Sequence, residues 1–209
     1  GGISILSSQL LANSDFSTGA FPAEYGNALA GVFDLNLRKG NNEKREYTVQ
    51  AGFLGMDVAA EGPFSKNYRG SYLINYRYST LSVLSNLGVP VGDAVTNFQD
   101  LSYNIFLPTS KFGNFSLFGF GGLSDQNQNA KKDSTQWEDD YQRYNSNYFS
   151  NTGAAGFKHA ITLNSNTFLQ STIVLSGNDH GFQNARLDDT YTPQFSYKEN
   201  YITKKLTIS

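Results

Sequence analysis

From residue 47 onward, apolar and polar side chains alternate with a period of two. Tyr47, Val49, Ala51 and Phe53 stand against Thr48, Gln50 and Gly52, and Tyr72, Ile74, Tyr76 and Tyr78 stand against Ser71, Asn75 and Arg77. Leu101, Tyr103, Ile105 and Leu107 oppose Asp100, Ser102 and Asn104, and Leu169, Ile173 and Leu175 oppose Gln170, Thr172 and Ser176. Successive side chains of a strand point to opposite faces, so this period predicts strands with one apolar and one polar face. Further strands are predicted over 56–62, 115–124, 148–162 and 195–209, seven or eight in all, and the fold class is all-β. Gly62-Pro63 is expected to stop the second of them, with Ser65, Lys66 and Asn67 as a turn.

The connections divide into two kinds. Those at 63–67, 108–114 and 163–166 are short, whereas 80–97, 125–145 and 179–193 are long, and the two kinds alternate along the chain. Outer-membrane barrels sort their loops this way, with tight turns at one end and long loops at the other. The 80–95 stretch carries Leu81, Val83, Leu84, Leu87, Val89 and Val91, and is expected to fold back, with a short helix as one way of doing so.

Composition sharpens this picture. Charged residues make up 16% of the chain, below the roughly 25% usual for soluble domains, while 20 Gly, 13 Tyr and 16 Phe fit a β-barrel wall. A mean hydropathy of −0.42 does not oppose that, because transmembrane strands give every second position to a polar lumen. The chain has no cysteine, which removes thiol nucleophiles, disulfides and thiolate metal sites. With a net charge of −2 and scattered basic residues, nucleic acid has no electrostatic footprint and is not expected as a partner.

The most specific run is residues 19–40. Pro22 fixes its own backbone and extends Phe21, and Gly26 and Gly31 allow turns or close approach. Val32, Asp34 and Asn36 then alternate with Phe33, Leu35 and Leu37 in a strand closed by Arg38, Lys39 and Gly40. This run resembles the end of the plug domain of TonB-dependent outer-membrane receptors. Phe21, Pro22, Ala23, Glu24, Tyr25, Gly26, Gly31, Val32, Lys39 and Gly40 match the pattern; where many members carry an arginine after Tyr-Gly, Ala28 stands here. The resemblance implies a plug end over 1–42 and a partial antiparallel transmembrane β-barrel over 43–209. It also implies further strands and an upstream leader beyond these 209 residues, since an eight-stranded barrel has room only for its own side chains and plugged lumens belong to much larger barrels.

The same resemblance implies energised uptake of a ligand across the outer membrane of a Gram-negative bacterium, contact with outer-membrane lipid, and coupling to TonB through a segment outside this chain. SusC-like and carboxypeptidase-regulatory-like receptors are the subgroups left open, and with them a surface lipoprotein of the SusD type as a further partner. Either Gly26 or Gly31 is expected to adopt positive φ or to press on the wall.

Candidate ligand contacts come from chemistry. Arg77 lies on the polar face of its strand, and Trp137 and Tyr141 sit among carboxylates in the 125–145 connection, where aromatic faces and hydrogen-bonding groups grip sugars or peptides. Catalysis is not expected. The two histidines, His159 and His180, lack the neighbours of a zinc site or triad, and Gly119, Gly121 and Gly122 interrupt a strand instead of forming a nucleotide loop. No metal or cofactor is called for. A soluble all-β module binding carbohydrate or peptide, and a passive or secretion-associated outer-membrane barrel, remain the alternatives.

Overall fold

The computed structural model describes residues 9–19, 22, 30–52, 55–79, 81, 84, 87–89, 94–131 and 133–209. Two short strands, β1 (Asp15–Ser17) and β2 (Val32–Asp34), pair antiparallel. Their ladder continues through the Leu11–Leu37 bridge, with Ala12 N donating to the Asn36 carbonyl at 2.7 Å and Arg38 N to the Leu10 carbonyl at 2.9 Å. The 32–37 stretch is therefore only half regular strand.

Eight further strands form one antiparallel sheet in sequential order: β3 (Glu46–Ala51), β4 (Gly55–Ser65), β5 (Tyr68–Ser79), β6 (Ala94–Pro108), β7 (Asn114–Gln128), β8 (Tyr144–Asn164), β9 (Thr167–Leu187) and β10 (Pro193–Ile208). The sheet is an open meander, and among the described residues β3 and β10 do not pair with each other.

Three expectations about boundaries are corrected. Gly62-Pro63 does not end its strand; β4 runs on to Ser65, with an irregularity between Pro63 and Ser65, which is where a residue without an N–H is tolerated in a ladder. The predicted 179–193 loop is mostly strand, since β9 continues to Leu187 and only 188–192 connect it to β10. The 125–145 connection is likewise trimmed at both ends, by β7 and β8, and its middle holds two 3-10 turns, Ser134–Gln136 and Asp140–Arg143. In the 80–93 connection positions 81 and 84 are helical and 87–88 turn.

The two faces of the sheet are sharply different. One apolar row, Tyr72, Ile105, Leu117, Phe157, Ile173 and Ile208, crosses six strands in register from β5 to β10. Within it Leu117, Phe157, Ile173 and Ile208 are exposed, as are Ile74 and Leu101 at other levels of this outward face. Polar residues first enter this face in numbers on one row, where Gln99, Asn151 and Asp179 stand among Tyr78, Leu123 and Ile202. On the opposite, inward face of β5 and β6, Ser71, Asn75, Ser79, Asp100, Ser102 and Asn104 are buried, Asn75 and Ser102 completely. The large apolar side chains fully buried among the described residues are Leu10, from the N-terminal segment, and Leu73, from that inward face. Water-soluble sheets put the polar face outside; here that order is reversed.

Candidate functional site

The N-terminal segment seats on the inward face through residues 38–41. The Arg38 guanidinium makes two parallel bonds to Glu61 of β4, Nη1 to Oε2 at 2.8 Å and Nη2 to Oε1 at 2.7 Å, and its Nε donates to the Gln9 carbonyl. Glu61 Oε2 also accepts from Asn41 N at 2.7 Å, and Asn104 of β6 donates from Nδ2 to the Arg38 carbonyl at 3.0 Å. Bonding to Glu61 raises the Arg38 pKa above its ordinary value. Bidentate, charge-assisted pairing of this kind fixes orientation as well as proximity.

Gly40 completes the seat. It is buried, and a Cβ built on it would overlap the backbone carbonyl of Tyr72. Lys39 points its ammonium over the Phe106 ring, 3.8 Å from the centroid. Lys39 and Gly40 are thus placed against the wall. Gly31 is not: its Cβ would meet the Phe16 ring at 2.9 Å, and Phe16 is itself an exposed side chain stacked on Phe33 at 4.3 Å. Pro22 is exposed, while Phe21, Tyr25 and Gly26 lie outside the described residues.

Arg77 sits directly opposite Asp100 in the β5–β6 register and binds it at two points, Nε to Oδ1 at 2.8 Å and Nη2 to Oδ2 at 2.9 Å. Asp57, one strand away on the same face, accepts from Asn75. The Arg77 guanidinium is therefore engaged inside a polar layer, which is the arrangement that makes a buried cation tolerable.

Trp137 and Tyr141 lie elsewhere, in the 129–143 connection. Trp137 donates from Nε1 to the Lys131 carbonyl at 3.1 Å, carries the Arg143 guanidinium over its ring at 4.7 Å and meets Tyr191 edge-on at 6.1 Å. Its faces are used to tie this connection to the 188–192 turn. Arg143 also reaches Asp189 at 3.5 Å, and Arg186 donates to Asp140 at 3.1 Å, holding the Asp140 carboxyl below its usual range. Tyr141 keeps an exposed ring, so of the two aromatics it is the one left available to a ligand.

A cavity of about 440 Å³ separates residues 34–39 from the inward face of β6–β9. Arg38, Glu61 and this cavity escaped sequence reasoning. Arg38 reads only as a strand-ending cation, and no local spacing announces a partner 23 residues on.

No protein-family model matches the chain, and no curated protein or solved structure matches it either.

Proposed function

We propose that this chain is the plug end and the first eight barrel strands of a TonB-dependent outer-membrane receptor that takes up a ligand with energy from a TonB partner. The carrying observation is the reversed sheet. An apolar row crosses β5–β10 on the outward face, and the inward face buries Asn75, Asp100, Ser102 and Asn104, the last of them bonded to the N-terminal segment at the Arg38 carbonyl. In water, such an outward face would be costly at roughly 25 cal/mol per Å² of apolar surface; against lipid it is the stable arrangement.

Strand dimensions support the same reading. A tilted strand needs about 9–11 residues to cross the hydrocarbon, whereas β8 and β9 have 21 each. The surplus lies beyond the level of Gln99, Asn151 and Asp179, on the side of the 80–93 and 129–143 connections. That side is the extracellular one. Lys204 is an outward cation within the belt, in the Leu101–Gly121–Gly153–Gly177 row, and its long stem can carry the ammonium toward the interface.

In this reading residues 38–41 are the hinge between plug and wall, further strands pair with the exposed edges of β3 and β10, and a ligand meets Tyr141 from outside. An open sheet edge in lipid leaves backbone groups without partners, so those edges require pairing. TonB would act through a segment outside this chain, and a SusD-type lipoprotein would sit over the 80–93 and 129–143 connections.

Fractionation of the natural source tests the proposal. The protein should sediment with outer membranes and leave them only in detergent, and ligand uptake should stop when the TonB partner is removed. Recovery in detergent-free buffer would favour the soluble binding module instead, and uptake indifferent to TonB would favour a passive barrel.

A further inference from the structure

The inward face is divided electrically. On β3–β6 it carries Glu46, Asp57, Glu61 and Asp100 against Arg77 and, at the rim, Arg69; on β7–β10 it carries Lys158, Arg186 and Lys205 against Glu199 alone. The Glu199 carboxylate already accepts from the Tyr197 and Tyr201 hydroxyls. The N-terminal segment seats on the acidic half, through Arg38. Over the basic half it stands off, and the 440 Å³ cavity fills the gap.

Lys39, Lys158, Asn104, Ser116 and Gln170 line that cavity, and Asp34 is its one acid. Among the described residues neither lysine has a carboxylate within ion-pairing distance. Two lysines on one cleft with a single acid give it a net positive potential. The Ser116 hydroxyl and the Gln170 amide beside them can complete the shell of an oxyanion.

We propose that this cleft binds the carboxylate or phosphate end of a solute, and that the solute passes between the N-terminal segment and the β7–β9 wall, not past the Arg38–Glu61 seat. The direction of passage rests on the receptor reading, whereas the anion site rests on the cleft alone. Carboxylate and phosphate share the chemistry recognised here, and the test separates them.

The absence of native cysteine makes a single-thiol experiment clean. Ser116→Cys in the full-length protein, held in detergent, is reacted with a sulfonate-bearing and a trimethylammonium-bearing methanethiosulfonate of similar size. The anionic reagent should react several-fold faster than the cationic one, relative to the same pair on free cysteine. Adding Lys158→Gln should erase most of that preference, while Lys158→Arg should keep it. Inorganic phosphate and citrate are then tried as protectants: protection by either supports the site and names the anion class. An absent preference, a preference indifferent to Lys158→Gln, or protection by neither anion overturns the proposal. If Ser116→Cys does not fold, Thr172→Cys lines the same cleft and serves instead. Recovery of the protein in detergent-free buffer would overturn the receptor reading and leave the thiol result standing, so the two failures are distinguishable.

Discussion

Arg38 and Glu61 lie 23 residues apart and meet in a two-point ion pair, 2.7 and 2.8 Å, and this pair decides where the N-terminal segment rests. Hydrogen bonds to charged groups contribute about 1.5–3 kcal/mol. Arg38 keeps about a third of its side-chain surface in solvent, which discounts the value toward about 1–2 kcal/mol. Arg38→Ala should therefore lower hydrogen-exchange protection of the 36–41 backbone by about tenfold, since 1.36 kcal/mol is a factor of ten. Arg38→Lys, with one point charge in place of a fork, should recover only part of it. Unchanged protection in Arg38→Ala would mean that other contacts hold the segment.

Two glycines separate wall contact from loop contact. At Gly40 an added Cβ meets backbone, the Tyr72 carbonyl, which cannot step aside. Overpacking of this kind costs about 1–3 kcal/mol, so Gly40→Ala should loosen the 38–41 seat and raise its proteolytic sensitivity. At Gly31 the Cβ meets the far edge of the Phe16 ring, which has solvent to swing into, and Gly31→Ala should leave melting and proteolysis near the parent values. Equal sensitivity in both variants would remove the distinction.

What the sequence made legible follows from what was periodic. The strands β5 and β6 were readable because Ile74 and Asn75, or Leu101 and Ser102, contrast strongly across the two faces, an exposed apolar side chain on one and a buried polar side chain on the other. The upper part of β9 was not, because from Asn178 polar residues stand on both faces: Asn178, His180 and Asn184 inward, Asp179 and Gln183 outward. With no contrast between faces, a strand there has the composition of a loop. The same loss of contrast hid residues 125–128 of β7. Among candidate residues, Lys39 and Gly40 lie against the sheet, at the Phe106 ring and the Tyr72 carbonyl. Arg77 and Trp137 are structural partners, because a cation on a buried face and an indole in a loop both find nearby groups once the chain is folded, and sequence spacing does not reveal those groups.

The reversed faces make a substitution test with two distinct outcomes. Arginine placed at Ile74 or Leu101 points outward at mid-wall, and in lipid this costs about 2–4 kcal/mol. On a water-facing sheet the same change would be nearly neutral. Denaturant unfolding in vesicles should therefore show Ile74→Arg and Leu101→Arg destabilised by that amount, whereas Ser165→Arg, at an exposed position in the turn between β8 and β9, should shift little. Neutral behaviour of both wall variants in vesicles would contradict a lipid-facing surface.

Acid should release the Trp137 cluster before the sheet. Asp188 accepts from Thr190 N at 2.9 Å, Thr190 Oγ1 at 2.7 Å and Thr192 N at 2.9 Å, and these bonds, the Thr190 hydroxyl first, hold its carboxyl below the usual range. They also close the 188–192 turn around Tyr191, whose φ of 63° places a bulky residue in the left-handed region, a conformation kept only when its surroundings enforce it. Tyr191 is the edge-on partner of Trp137, and Asp140, lowered by Arg186, braces the other side. A carboxylate whose folded pKa is depressed contributes stability that is present above its unfolded pKa and is lost as pH falls through the folded one. Both aspartates act in the same direction, so the cluster should be intact at neutral pH and loosen below the ordinary carboxylate range. Trp137 is the sole tryptophan, which makes its emission a direct reporter: a red shift should appear on acidification, while strand circular dichroism holds. In Asp188→Asn, which keeps an acceptor oxygen but cannot titrate, the part of the transition due to this turn should disappear; in Asp188→Ala the emission should already be shifted at neutral pH. An acid transition identical in the parent and in Asp188→Asn would show that the turn does not carry the response.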